Sequence, residues 1–147
     1  MPQTSNEPWP ELEKKNALLV YILTFLTGGI YAPVWILKRK RAINNLESDQ
    51  KINSVTAVLS IVLFSLNLLM SFGVGVLEGL DKMSMAKDLE MFTKIATILG
   101  SISLWLLCFE IRNIFNDHIT HHLQNEVKIS GVSTFLFHVG YLQYKIN

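Results

Sequence analysis

Long apolar runs separated by short charged stretches dominate the pattern of this chain. Val55 to Leu77 is 23 residues without a charge. A bilayer core is about 30 Å thick and takes about 20 apolar helical residues to cross, so residues 54–78 predict a transmembrane helix. Ile95 to Phe109 is uncharged for 15 residues, between Lys94 and Glu110. Met91 and Phe92 extend it, and Lys94 and Arg112 can snorkel to the interfaces. A helix over 92–125 follows, with its last turns in water. Asn16 to Leu37 is uncharged for 22 residues but is interrupted by Thr24, Thr27, Gly28, Gly29 and Pro33. The glycine pair predicts a break, and Pro33 suits the first turn of a second helix. Residues 12–46 therefore read as a broken helix continuing into a basic interfacial one. Residues 130–147 are apolar with interruptions at Gly131, His138 and Gly140; they predict an interfacial, re-entrant or fourth spanning segment. Residues 1–11, with Pro2, Pro8 and Pro10, read as an extended tail. The expected architecture is a single-domain, all-α membrane protein. It has about three transmembrane helices, the first broken at Gly28-Gly29, plus the C-terminal segment.

Composition narrows the class. Half of the 147 residues are apolar and 17% are charged, against about 25% in soluble proteins. Disorder is excluded, since it needs low hydrophobicity and high net charge. The net charge of +1 supplies no field for nucleic acid. A single cysteine, Cys108, excludes an internal disulfide. Lys14 and Lys15 before an apolar run could open a signal peptide, but Glu7, Glu11 and Glu13 precede them and no A-x-A site follows, so the segment is expected to stay. The loop 38–53 carries Lys38, Arg39, Lys40, Arg41 and Lys51; the stretch 78–91 carries Glu78, Asp81, Asp88 and Glu90. Basic loops stay cytoplasmic, which places the first loop inside and the second outside. Lys38 to Arg41 are also expected to meet lipid headgroups.

Polar and small residues recur inside the apolar helices. Asn67 lies mid-span, where its amide needs a partner. Ser71, Gly75 and Gly79 are four apart, as are Ala96 and Gly100, and Thr93, Thr97 and Ser101. Such spacing lets helices approach closely, so the expectation is helix packing; the alternative for Asn67 is a polar pathway. His118 and His122 share a helical face and could hold a metal. No third ligand is dictated, and a solvated juxtamembrane turn is the simpler reading. Glu110 at a span end is expected to bond Asn113 or water. There is no Gly-x-Ser-x-Gly elbow, phosphate loop or dinucleotide fingerprint, so neither an enzyme nor a cofactor is expected.

One block is more specific. Thr27, Gly29, Ile30, Tyr31 and Trp35, followed by Lys38 and Asn44, resemble a family of small bacterial integral membrane proteins of unknown function with a T-x-G-I-Y-x-x-x-W…N pattern. Gln143 and Asn147 resemble that family's Q-x-x-hydrophobic-N ending. Pro33 and Val34 depart from the glycine and aromatic often found there. The resemblance implies a bacterial inner-membrane location and no mechanism. Residues 140–147 are expected to pack against the Gly28–Tyr31 corner, with Asn44 and Asn147 as polar anchors. The function expected is that of a multi-pass scaffold or accessory subunit, with membrane lipids as partners and a homo-oligomer or a larger complex left open. An oligomeric channel or transporter component comes second, and a metal-dependent membrane enzyme third.

Overall fold

The computed structural model describes residues 12, 14–46, 48–123 and 129–147; at 121–123 the backbone alone is described. The tail expected over residues 1–11 lies outside the described residues. Five helices and no strand occur among those described: α1 (Ala17–Leu26), α2 (Tyr31–Asn44), α3 (Ser54–Gly79), α4 (Met83–Leu123) and α5 (Gly131–Ile146).

Asn16 starts α1 by accepting from the backbone N–H groups of Leu18 (2.9 Å) and Leu19 (3.4 Å), which relieves two of the orphan donors of a first turn. The helix stops after 10 residues because Gly28 and Gly29 take φ of 58° and 94°, a region that glycine enters without steric penalty. The chain turns and resumes as α2. Its buried positions, Ala32, Pro33, Trp35, Ile36, Arg39 and Ile43, are spaced at one turn, singly or in adjacent pairs, and put one face on the core.

Helices α3 and α4 form an antiparallel hairpin, the largest helix–helix contact in the fold. The turn between them is tight: Asp81 has a φ of 55°, which aspartate tolerates better than most residues, and the Lys82 N–H donates to the Leu77 carbonyl at 2.9 Å. The acidic external loop expected over 78–91 is thereby corrected to this short turn. Lys82 to Lys94 mix charge and hydrophobicity, which hid the first turns of a 41-residue helix. The predicted end of that helix, residues 124–125, lies outside the described residues.

Two helices, α3 and α4, are long and apolar enough to cross a membrane. At about 1.5 Å per residue, α1 is about 15 Å long, half of a bilayer core. The expected third span is thus not among the helices of sufficient length. Helix α5 is bent at His138, whose φ of 45° and ψ of −131° leave the helical region.

The core gathers at one end of the hairpin. Trp35, Ile36 and Ile43 of α2 meet Ala57 and Phe64 of α3, Leu107, Ile111 and Phe115 of α4, and Val139, Leu142 and Ile146 of α5. Around that end, α1 packs on α5 and α2, and α5 packs on α4. Beyond it the hairpin continues as two helices whose apolar side chains point outward: Leu69 is 70% and Phe72 76% exposed.

Candidate functional site

The motif residues of the first segment stitch the corner together. Thr27 Oγ1 donates to the Leu23 carbonyl at 2.8 Å and accepts from the Tyr31 N–H at 2.9 Å. A single hydroxyl thus closes α1 and opens α2, doing by side chain what the backbone cannot do across a break. Ile30 and Tyr31 pack against the core, half-buried. Gly29 is held by more than its φ: a Cβ there would stand 3.0 Å from the ring of Phe64. Gly100, on α4, approaches the same ring, with a virtual Cβ at 3.3 Å. Phe64 therefore packs closely on both glycines, which joins the corner to the hairpin.

Trp35 is the buried start of a polar relay that runs out to the surface. Its indole Nε1–H donates to Gln143 Oε1 at 3.0 Å, and Gln143 Nε2 donates to Asn147 Oδ1 at 2.9 Å. Asn147 also binds the chain just before α1: its Oδ1 accepts from the Lys15 N–H at 3.2 Å, and its Nδ2 donates to the Lys15 carbonyl at 2.6 Å. Three distant parts of the sequence are tied together by one relay. Arg39 caps it, stacked 4.6 Å over the Trp35 ring.

The expected docking of residues 140–147 on the Gly28–Tyr31 corner needs correction in its details. Helix α5 lies on α1 and α4, and Gly140 faces Tyr21, with a virtual Cβ at 3.4 Å from that ring. Asn147 anchors the segment as expected, but at Lys15. Asn44 does something else: its Oδ1 accepts from the Ile52 N–H at 2.8 Å, which ties the end of α2 to the approach to α3. The basic run also divides. Lys38 and Arg41 are exposed, as headgroup contact requires, whereas Arg39 is buried and Lys40 bonds Ser54. Sequence alone puts Arg39 outside because charges are rarely buried; the adjacent Trp35 face receives it.

Polar residues of the hairpin pair across the seam. Asn67 Nδ2 donates to the Thr93 carbonyl at 3.0 Å and also meets Thr97 Oγ1. Ser60 Oγ donates to Ser103 Oγ at 2.8 Å. Ser103 was not legible, since it stands outside the Thr93–Thr97–Ser101 column. Of the small residues, Gly100 is close-packed, while a Cβ at Gly75 or Gly79 would meet nothing within 4 Å, and Ser71 is exposed. The series 71–75–79 is thus an open stripe within the protomer, and Gly73 instead meets Leu89, at 3.0 Å.

Where α4 leaves the core, its polar residues hold connections. Arg112 Nε donates to the Ile129 carbonyl at 2.8 Å, Asn116 Oδ1 accepts from the Ile129 N–H at 2.7 Å, and Asp117 accepts from Ser48 Oγ at 2.9 Å. Asn113 partners Arg112 at 3.2 Å and not Glu110, whose Oε2 is buried without a hydrogen bond. His118 is buried and the His122 side chain lies outside the described residues. Among the described residues no group of three or more His, Cys, Asp or Glu is placed to hold a metal.

One contact that sequence reasoning missed lies at the bend of α5. The Trp105 indole N–H donates to His138 Nε2, with the two ring planes 8° from parallel. No local signal announces it, because the partners are 33 residues apart.

No curated protein and no solved structure is similar to this sequence. Residues 15–117, more than two thirds of the chain, match a family described as a domain of unknown function. The match takes in the corner, the hairpin and most of α4, and stops before α5. By that extent the chain belongs to the DUF4234 family.

Proposed function

We propose that the protein is a non-enzymatic scaffold or accessory subunit of the bacterial inner membrane. The observation that carries this reading is the use of the polar side chains inside the apolar helices. Asn67 is spent on Thr93 and Thr97, Ser60 on Ser103, and Trp35 on Gln143. Groups bonded to each other across helix seams build a platform and leave little for chemistry on a substrate. In the proposed placement α3 and α4 cross the bilayer, α1 enters and turns back at Gly28-Gly29, and the basic stretch 38–53, the end of α2 and the connection to α3, is cytoplasmic. The freed backbone of a broken helix needs satisfaction at membrane depth, and the Thr27 hydroxyl supports that need here.

A second reading has its own observation. The open Ser71–Gly75–Gly79 stripe offers a close-approach surface to another copy, as a small oligomeric channel requires. Affinity purification in mild detergent, with the mass of the intact complex measured, separates the two. The scaffold reading expects a stoichiometric larger membrane partner. A stable homo-oligomer that carries ions in a planar bilayer would overturn it in favour of the channel.

A further inference from the structure

Two adjoining cavities run along the seam between α1 and α5. The outer one, about 380 Å³, is apolar and aromatic, lined by Ala17, Leu18, Tyr21, Gly140, Tyr141 and Tyr144 among others. The inner one, about 230 Å³, is lined by Tyr21, Thr24, Ser101, Trp105, Phe137 and His138, with two further apolar residues. Tyr21 and Phe137 belong to both, so the two are continuous in their walls. Neither lining includes an Asp, Glu, Lys or Arg. Ser101 and Trp105 fall in the middle of the charge-free stretch of α4.

The hydrogen bonds around the inner cavity fix what its polar groups can still do. Trp105 donates to His138 Nε2, so that nitrogen is an acceptor and the neutral imidazole carries its proton on Nδ1. Among the described residues nothing accepts from Nδ1, and the Ser101 hydroxyl has no partner. The Thr24 hydroxyl is already spent on the Val20 carbonyl, at 2.8 Å. The residues lining the inner cavity thus include two donors without a protein partner, Ser101 O–H and His138 Nδ1–H, among aromatic rings. His138 reaches this position with a backbone conformation (φ 45°, ψ −131°) that suits glycine and not an L side chain. Strain of this kind persists where the surroundings hold it and clusters at binding sites.

We propose that this seam binds an uncharged amphiphile whose head carries a carbonyl oxygen. The oxygen accepts from Ser101 and His138 in the inner cavity, the rings of Trp105 and Phe137 flank the head, and the apolar tail lies in the outer groove along Tyr21 and Tyr144. Absence of charged side chains from both linings disfavours an anionic headgroup, which needs cationic partners. A tailed quinone and a neutral glycerolipid ester share this chemistry. The inference rests on the membrane placement proposed above but not on the scaffold role.

The test uses the full-length protein in a neutral detergent, with a decyl-substituted benzoquinone in one arm and dioleoylglycerol in the other. Binding is read as saturable quenching of tryptophan fluorescence by the quinone, and as its displacement by the glycerolipid. Saturation near one equivalent is expected, weakened at least tenfold by Ser101→Ala combined with His138→Gly. The glycine keeps a residue that accepts the backbone angles, so loss of binding is separable from loss of fold, which circular dichroism monitors. Trp105→Phe should remove most of the quench. Displacement by the glycerolipid at lower concentration than the quinone's own Kd identifies the ester as the source; its failure to displace identifies the quinone. Quenching that rises linearly without saturation, or that the double variant leaves unchanged, would overturn the proposal. Fractionation of the same protein with membranes is measured separately, so failure of the membrane reading shows on its own.

Discussion

At the scale of single residues, Gln143 carries more of the fold than its polarity advertises. It is fully buried, accepts from Trp35 and donates to Asn147. Removing it leaves the buried indole N–H unsatisfied, a penalty of about 1–3 kcal/mol. Gln143→Ala is therefore expected to lower stability by that amount in reversible detergent or urea denaturation. The loss should be non-additive with Trp35→Phe, which removes the donor itself; neighbours in one network couple by about 0.5–3 kcal/mol. Additive losses would show that the relay is incidental. The two residues were visible in the sequence as parts of a resemblance, at opposite ends of the chain. Their pairing was not, because 108 residues separate them and no periodicity reports on such a contact. Arg39 shows the complementary failure. Its charge predicts exposure, and only the geometry of α2 shows that position 39 follows 32, 35 and 36 onto the buried face.

Between elements, the contact of Phe64 with Gly29 and Gly100 ties the corner to the hairpin. The two glycines should respond differently. Gly29→Ala places a side chain at φ of 94° and at 3.0 Å from the ring, so backbone strain of about 1–3 kcal/mol adds to the clash. Gly100→Ala meets the ring at 3.3 Å in an ordinary helix, and overpacking of this extent costs about 1 kcal/mol. Phe64→Leu gives the ring's space back. Thermal unfolding should therefore show rescue of Gly100→Ala by Phe64→Leu, with most of the Gly29→Ala loss remaining. Equal rescue of both would mean that the left-handed angle at Gly29 is not a constraint. The break itself was legible, because two adjacent glycines in an apolar run have few other uses. The N-terminus of α4 was not: Lys82 to Lys94 alternate charge with Met83, Met85, Leu89 and Met91, a pattern that suits a polar loop until it is seen paired with α3. The bend at His138 was half legible, as an interruption, but a histidine carries no signal for a positive φ.

For the whole molecule, the five-helix end and the two-helix end of the hairpin define a polarity that labelling can read. Asp49 precedes α3 and Asp81 sits in the turn at its far end, both exposed. The native thiol, Cys108, is buried. A membrane-impermeant maleimide should therefore leave the unaltered protein unlabelled in intact cells. Asp81→Cys is expected to react from outside, and Asp49→Cys only after the membrane is opened. Labelling of both positions from one side would refute the crossing of α3.

Helix α4 is continuous for 41 residues, about 60 Å at 1.5 Å per residue. It runs from the lone half of the hairpin through the packed end and on to Leu123. Such a rod converts angle into distance. Membrane helices lean to match the thickness of the hydrocarbon around them. A change in lean of about 10° sweeps one end of a rod this long through about 10 Å relative to the other. In the proposed membrane placement, a lean of the hairpin would be carried along the unbroken α4 as a displacement of its far tip relative to its start.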